Sequence, residues 1–345
     1  MKEKIETYLE QLVEEEVFPG CNYCIITNEE TIFGNVGYKS LIPDKIKNEI
    51  DNIHDIASLT KLVVTNTLVS FLLRDNKIKL DDSVSKYIED FIYPEVKIIH
   101  LLTHSSGIRV TFDKNNLKDK SEFIEKITKE FETGTDIRYV DINFILLGFI
   151  VEKIYGESID KLADKYIFKP LDMKDTCYCP KDIKRCVPTE LTDSRGLVCG
   201  TVHDEKAAFL NGVAGHAGVF STIFDLRNFV EMILNNGYHE GYEFLDKQYI
   251  DNWFQALYVG EDGVRRTCGW CYGKSSKLCK DVCSDDTIIH TGFPGHHILI
   301  DRTNDIGIIL LSNRIHPTRE NKKLIDKRTD INNKIYEILK EYHRI

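Results

Sequence analysis

A serine and a lysine three residues apart open the apolar stretch "HDIASLTKLVVTNTL", residues 54–68. Residues three apart in a helix lie on one face, so the amine of Lys61 can reach the hydroxyl of Ser58. A serine hydroxyl is a weak nucleophile unless a neighbouring base accepts its proton, and a lysine whose pKa is lowered by burial can do so. Unpaired N–H groups at a helix start can also hold an oxyanion. The pair predicts nucleophilic catalysis; a helix-capping serine and a surface lysine are the structural alternative.

Two further stretches carry groups suited to the same chemistry. "RYVDINFILLG" places Tyr139 and Asp141 just ahead of an apolar helical segment, and "IIHTGFPG" places His290, Thr291 and Gly292 at the end of a strand-like run. Taken singly, the tyrosine could be a core ring and the histidine a strand residue facing solvent. Because the three motifs occur together and in this order, they favour a catalytic site over those alternatives.

These motifs resemble the signatures of the serine β-lactamase and penicillin-binding-protein superfamily, which are S-x-x-K, Y-x-N or S-x-N, and K-T-G. The resemblance is closest to the class C branch, which includes D-alanyl-D-alanine carboxypeptidase-like and esterase-like members. It covers nearly the whole chain, through "FPG", "ASLTK", "HLLTHSSGI", "YVDINFILLGFIVE", "FKPLDM", "VHDEKA", "GHAGVFST", "HTGFPG" and "LLSNRIHP" in that order. It implies an α/β (α+β) fold of the β-lactamase/transpeptidase type, with an antiparallel sheet flanked by helices, a mainly helical lobe and the site between them.

The resemblance also implies a role for each matching residue. Ser58 would be the acylating nucleophile, Lys61 would lower the cost of its deprotonation, and Tyr139 would share the general acid and base role. The backbone N–H groups of Ser58 and Phe293 would hold the oxyanion. The remaining positions expected to bind substrate are Asp141, His216, His290, Thr291, Gly292 and Phe293.

The implied activity is that of a serine hydrolase that forms an acyl-enzyme with a small ester, amide or D-amino-acid peptide and needs no metal or organic cofactor. The alternative from another class is a catalytically silent member that binds a peptide or a cell-wall fragment.

Two positions depart from the signatures. Asp141 stands where asparagine is usual, and a carboxylate accepts hydrogen bonds without donating any. It could pair with Lys61 and keep it charged, which would shift base duty toward Tyr139. His290 replaces the lysine of K-T-G, so the fixed positive charge that would meet a substrate carboxylate is weakened at neutral pH. The sequence therefore favours esters, or amides without that carboxylate, over β-lactams.

The hydrophobic pattern predicts the elements that position these groups. Apolar residues nearly encircle a central helix over 58–73. A hairpin is expected from strands at 22–27 and 31–36, and strand-like runs return in "RTCGWCYG", "TIIHTG", "HHILIDR" and "DIGIILLSN" before a final helix at about 321–342. The segment 80–236 reads as mainly helical. We therefore expect a single catalytic unit over 1–345, with a sheet lobe from about 1–60 and 237–345 and a helical lobe over about 61–236.

Composition limits the partners. The chain has 345 residues, 42% of them hydrophobic, and a net charge of -10, so neither nucleic acid nor an anionic membrane is favoured. The N-terminus reads as an amphipathic helix rather than a secretory leader, and no run approaches the ~18 apolar residues of a membrane span. These features predict a cytoplasmic protein with a small-molecule or peptide substrate, and they leave its oligomeric state open.

The cysteines and histidines raise the question of a metal. In a reducing compartment the ten cysteines are expected to be free thiols. The paired spacing at 268, 271, 279 and 283 suits structural zinc, but residues three apart on a strand face opposite sides. "VHDE" offers His203 and Asp204 as half of a metal site, yet without a second ligand pair Asp204 reads as a loop or cap residue. A zinc hydrolase built on His203, His216 and the cysteines Cys268, Cys271, Cys279 and Cys283 remains the third alternative.

Overall fold

Strands from the two ends of the chain meet in one antiparallel sheet. The structure, a computed structural model, describes residues 1–111, 121–276, 278 and 282–345. Its strands are β1 (Gly20–Ile26), β2 (Thr31–Ser40), β3 (Ile46–Lys47), β4 (His54–Asp55), β5 (Ile108–Val110), β6 (Ile127–Lys129), β7 (Cys177–Tyr178), β8 (Leu191–Thr192), β9 (Gly196–Leu197), β10 (Val219–Ser221), β11 (Tyr238–His239), β12 (Tyr242–Glu243), β13 (Tyr258–Val259), β14 (Arg265–Arg266), β15 (Cys271–Tyr272), β16 (Thr287–Thr291), β17 (His297–Asp301) and β18 (Ile306–Ser312). The main sheet has the order β13-β14-β15-β16-β17-β18-β1-β2-β3. The N-terminal and C-terminal parts of the chain therefore join where β1 pairs with β18.

Helices cover the sheet and fill the segment between its two halves. They are α1 (Lys2–Glu14), α2 (Thr67–Arg74), α3 (Ile98–Leu102), α4 (Ser121–Glu125), α5 (Ile142–Tyr155), α6 (Ile159–Ala163), α7 (Glu205–Phe209), α8 (Ile223–Leu234), α9 (Lys247–Trp253) and α10 (Lys323–Glu341). Short 3₁₀ turns lie at Ala57–Leu59, Val84–Lys86, Ile183–Arg185 and Gly273–Ser275, and π-helical turns lie at Lys61–Asn66 and Asp164–Phe168. None of the helices within the described ranges combines the length and hydropathy needed to cross a bilayer.

Burial on both faces explains the sequence of the central strands. Alternate residues of β1 point to opposite sides: Tyr23 and Ile25 join the core formed with α1 and α10, and Cys24 and Ile26 join the core formed with α8. Period-two alternation with both faces covered yields a strand whose residues are all apolar or buried. The predicted hairpin is confirmed, since Ile26 pairs with Thr31 across its turn.

Several predicted elements differ in detail. The central helix is not continuous from Ser58, because a 3₁₀ turn and the π-helical turn Lys61–Asn66 precede α2. "RTCGWCYG" is not one strand: β14 and β15 pair with each other around a turn in which Gly269 has φ 81°. The segment 80–236 contains the strands β5 to β10 besides its helices, and these have two or three residues each, too few to show alternation.

The ends of α8 carry typical capping residues, and the predicted final helix is present. The Thr222 hydroxyl caps α8 by accepting from the Asp225 N–H over 3.3 Å, and the chain leaves this helix through Gly237, with φ 95°. The final helix, expected at about 321–342, is α10.

Candidate active site

Ser58 sits on a strained turn between β4 and the central helix. The preceding residue, Ala57, has φ 47°, a left-handed conformation that costs a non-glycine residue roughly 1 kcal/mol and is found most often at functional sites. Asp55 holds this turn in place, since one of its oxygens accepts from the Ala57 N–H over 3.0 Å and the other accepts from the His203 N–H over 2.7 Å. The turn places the Ser58 side chain on the wall of a cavity.

Lys61 is fully buried beside Ser58. Its ammonium donates to the Ser58 hydroxyl and to the Asp141 carboxylate, each over 3.0 Å. The third N–H donates to the carbonyl of His216, also over 3.0 Å. Burial by itself lowers the pKa of Lys61, but Asp141 and Tyr139 together outweigh it through their charges and hydrogen bonds and hold this pKa above its usual value. The ion pair with Asp141 that the sequence suggested is present, and Lys61 is charged at neutral pH.

A second lysine shares the same carboxylate. The other oxygen of Asp141 accepts from Lys206 over 2.9 Å, and the neighbouring Asp204 accepts from the His216 ring over 2.7 Å. Although burial alone raises the pKa of Asp141, Lys61, His216 and Lys206 bring it well below its usual range. Asp204 is a helix cap as predicted, since it accepts from the Ala207 N–H at the start of α7 over 2.8 Å. Sequence reasoning missed Lys206, and "VHDEKA" was its only signal.

Among the described residues, this cluster is the group whose side chains could hold a metal ion. Asp141, Asp204 and His216 place one ligand atom each within 4.8 Å of one another. Both carboxylates already face the ammonium groups of Lys61 and Lys206, whose positive charges oppose a cation. The site therefore suits two lysines better than zinc.

The other groups of the zinc alternative lie apart from this cluster. His203 bonds to Glu190 over 2.9 Å. Cys268 and Cys271 are free thiols, while Cys279 lies outside the described residues.

Tyr139 lines the same cavity as Ser58 and lies in the loop just before α5. Its ring centre is 5.0 Å from the Lys61 Nζ and 5.8 Å from the His290 ring, and the side chain is 40% exposed. The His104 ring supports it from behind at 4.5 Å and is itself 3.2 Å from the Asn143 amide. His104 and Asn143 are positioning residues that sequence reasoning did not identify, although "HLLTHSSGI" contains the histidine.

The segment "HTG" ends β16 along the cavity. His290 is buried, and burial together with the charges of Lys61 and Arg266 lowers its pKa well below the usual value, so its ring is neutral at pH 7. Thr291 and Gly292 also line the cavity, and the Phe293 ring, 45% exposed, stacks on His203 at 5.5 Å. In the part of the chain that the structure describes, the backbone N–H groups of Ser58 and Phe293 have no acceptor. Both are free to bind an oxyanion.

The fold thus brings most of the predicted residues to one cavity of about 340 Å³, lined by Ser58, Tyr139, Arg266, Cys271, Leu278, Ile289, His290, Thr291, Gly292, Phe293, Arg314, Ile325 and Arg328. Lys61, Asp141 and His216 lie behind Ser58 and are not part of its lining. His216, expected to line the cleft, instead offers its carbonyl to Lys61 and its ring to Asp204.

Comparison with known proteins agrees with this arrangement. A model of the Beta-lactamase family matches residues 5–333. A putative D-alanyl-D-alanine carboxypeptidase of Salmonella agona (strain SL483) is 27% identical over 89% of this chain and 81% of its own length. The N-acetylmuramyl-L-alanine amidase of Bacillus subtilis (strain 168) is 28% identical over 89% of this chain and 80% of its own length.

Among solved structures, a class C beta lactamase superposes with a TM-score of 0.79 at 19% identity, covering 98% of both chains. This likeness confirms the predicted fold class, and the family match confirms the predicted superfamily and enzyme class. The chain belongs to the Beta-lactamase family and is a serine hydrolase.

Proposed function

We propose that this protein hydrolyses an amide bond of a small cell-wall peptide through an acyl-enzyme formed on Ser58. The contact between the buried Lys61 ammonium and the Ser58 hydroxyl, 3.0 Å long, carries the proposal. The names of the two relatives support the substrate class, because a D-alanyl-D-alanine carboxypeptidase and an N-acetylmuramyl-L-alanine amidase both cleave amide bonds.

In the first half of the reaction, the Ser58 oxygen attacks the substrate carbonyl carbon. Because Lys61 is already protonated, it cannot take the serine proton; its positive charge instead stabilises the serine oxygen as that proton leaves. In this scheme Tyr139 acts as the phenolate, accepts the serine proton and passes it to the leaving nitrogen when the C–N bond breaks, which restores the phenolate. The N–H groups of Ser58 and Phe293 would hold the negative carbonyl oxygen.

In the second half, a water molecule attacks the acyl carbonyl while Tyr139 accepts its proton. The ester bond to Ser58 then breaks, the serine oxygen regains a proton from Tyr139, and the carboxylic acid product leaves. In this scheme Asp141 and Lys206 touch no reacting atom. They fix the position and charge of Lys61.

The proposal also includes a single catalytic unit and a cytoplasmic location. Strands from both ends of the chain share one sheet, which supports a single unit. The N-terminal helix α1 buries Ile5, Leu9 and Leu12 in the core against this sheet, so these residues are part of the folded catalytic unit.

A fluorophosphonate probe, which phosphonylates activated serines, tests the nucleophile directly. We expect mass spectrometry to place the adduct on Ser58, and we expect both the adduct and the hydrolysis of a D-alanyl-D-alanine peptide to disappear in Ser58→Ala. Ser158→Ala, at the start of α6 and away from the cavity, is the matched control and should keep both. Labelling that survives in Ser58→Ala would refute the assignment. A folded wild type that neither labels nor hydrolyses would favour the silent peptide-binding alternative.

A further inference from the structure

His290 lies near the end of β16 and lines the cavity beside Ser58. Its Nδ1 is 2.9 Å from the carbonyl oxygen of Thr291. A carbonyl oxygen accepts hydrogen bonds and donates none, so the proton of the neutral ring is on Nδ1. The other ring nitrogen, Nε2, therefore carries a lone pair and acts as an acceptor.

The Nε2 atom of His290 has no hydrogen-bond partner in the part of the chain that the structure describes. It differs from the Nε2 of His104, which also lacks a partner but is sealed inside the protein. Because His290 is a lining residue of the cavity, its lone pair faces the space in which a substrate binds. An acceptor that gains no hydrogen bond when a substrate displaces water weakens binding.

The surroundings of His290 keep this lone pair unprotonated. Burial, and then the charges of Lys61, Arg266 and Arg328, lower the pKa of His290 well below its usual value. The three cations come from separate elements, the π-helical turn, β14 and α10. The ring therefore remains an acceptor at neutral pH.

The proposed reaction places the leaving nitrogen near this lone pair. Tyr139, whose ring centre is 5.8 Å from that of His290, passes a proton to the leaving nitrogen in that scheme. The N–H of Phe293, three positions beyond His290, would hold the carbonyl oxygen of the same bond. The nitrogen of a secondary amide carries an N–H before its bond to carbon breaks, whereas the leaving oxygen of an ester carries no hydrogen.

We propose that His290 is a specificity-determining residue that accepts a hydrogen bond from the N–H of the scissile amide. This inference rests on the proposed function and narrows its substrate class to secondary amides. A lysine at this position donates hydrogen bonds and accepts none, so histidine reverses the hydrogen-bonding polarity of the K-T-G motif. The ring nitrogen of a bicyclic β-lactam carries no hydrogen and would leave the lone pair unpaired. The sequence left esters and amides equal, and the orientation of this ring separates them.

An amide and an ester with the same acyl group test this role. N-acetyl-D-alanyl-D-alanine and N-acetyl-D-alanyl-D-lactate differ only in the N–H or the oxygen that leaves. His290→Gln keeps an acceptor in its side-chain carbonyl, whereas His290→Lys offers donors alone. Relative to wild type, we expect the amide-to-ester ratio of kcat/KM to fall about 10-fold in His290→Lys and to stay within about 3-fold in His290→Gln, since only the lysine removes the hydrogen bond.

Ile325→Lys is the control for charge. Ile325 also lines the cavity and is 46% exposed, so a lysine there adds a positive charge without removing the acceptor, and the ratio should keep its wild-type value. Because the ratio compares two substrates in one variant, a general loss of activity cancels. A ratio that His290→Lys leaves unchanged, or that His290→Gln or Ile325→Lys lowers equally, would overturn the inference.

A binding measurement separates this inference from the proposed catalysis. In Ser58→Ala, which lacks the nucleophile, the amide should raise the melting temperature more than the ester does, and adding His290→Lys should remove the difference. Equal effects of the two ligands in Ser58→Ala would overturn the acceptor role even if the wild type hydrolyses amides. A larger effect of the amide that His290→Lys removes would support it even if the wild type hydrolyses neither.

Discussion

Replacing Asp141 by asparagine removes the charge that neutralises Lys61 while keeping nearly the same shape. In the folded protein Lys61 is fully buried and lies 3.0 Å from the Asp141 carboxylate. Asparagine would leave a buried ammonium with neutral acceptors alone. Lys206, the second partner of this carboxylate, has a side chain that is 25% exposed and can turn toward water, so the main cost falls on Lys61.

The expected loss of stability follows from this burial. Two unit charges at the observed 3.0 Å attract by about 5 kcal/mol at an effective dielectric constant of about 20. Removing one partner of a buried pair typically costs about 3–5 kcal/mol, and we expect Asp141→Asn to lower the free energy of unfolding by that amount. Lys206→Ala leaves the inner pair intact and should cost no more than about 1 kcal/mol, as for partly exposed ion pairs.

Urea unfolding followed by circular dichroism measures both variants. The difference in the free energy of unfolding between wild type and Asp141→Asn should decrease from pH 7 to pH 10. In wild type the pKa of Lys61 is raised by Asp141, so the stability from this group is full below the unfolded pKa of about 10.4 and is lost above it. In the variant, burial without the carboxylate lowers the pKa of Lys61, so stability increases with pH. A loss below about 1 kcal/mol, or a gap that does not change with pH, would refute the reasoning.

Three further perturbations test neighbouring parts of the site. Tyr139→Phe keeps a ring that is already 40% exposed, so stability should hold while kcat for a peptide substrate falls about 10²–10⁴-fold; a smaller loss would contradict its role as acid and base. Burial lowers the pKa of His296 to about 3, below the value of about 6.5 for an unfolded histidine. The neutral ring therefore contributes fully to the free energy of unfolding above pH 6.5, and about 2 kcal/mol of that free energy should be lost by pH 5. In urea titrations at the two pH values, His296→Gln should reduce the pH dependence of stability by that amount. Gly215→Ala would place a Cβ 2.3 Å from the carbonyl oxygen of Phe144 and should cost about 2–3 kcal/mol in the same assay; an unchanged urea midpoint would show that the loop has room to move.

The parts of the site that could be predicted from the sequence are those formed by residues close together in the chain. Ser58 and Lys61 are three residues apart, so their contact needs only one helical turn. The hairpin β1–β2 and the late strands β16 to β18 have enough alternating apolar residues to be recognised. The long amphipathic helix α10 was predicted for the same reason. These elements bring the two ends of the chain together, and with them the "ASLTK" and "HTG" segments.

The rest depends on contacts between distant segments. Lys206 meets Asp141 across 65 positions of the chain, and nothing in "VHDEKA" identifies its partner. The π-helical turn at Lys61–Asn66 has no residue pattern of its own, so apolar periodicity predicts an ordinary helix there. The charges of Arg314 and Arg328 reach the cavity only because the segments that carry them fold back onto β16.

The bonds of Lys61 decide how the catalytic roles divide. Its Nζ contacts the Ser58 hydroxyl, a carboxylate oxygen of Asp141 and a backbone carbonyl, each over 3.0 Å. Neither the carboxylate nor the carbonyl can donate a hydrogen bond, so each takes an N–H from Lys61. A neutral lysine amine has only two N–H groups, and its lone pair could then accept the serine proton. Here the adjacent Asp141 carboxylate keeps a third proton on the nitrogen, so no lone pair is available. The lysine therefore acts as a fixed positive charge beside the nucleophile, and the serine proton needs another acceptor, the role we propose for Tyr139, whose ring centre lies 5.0 Å from Nζ.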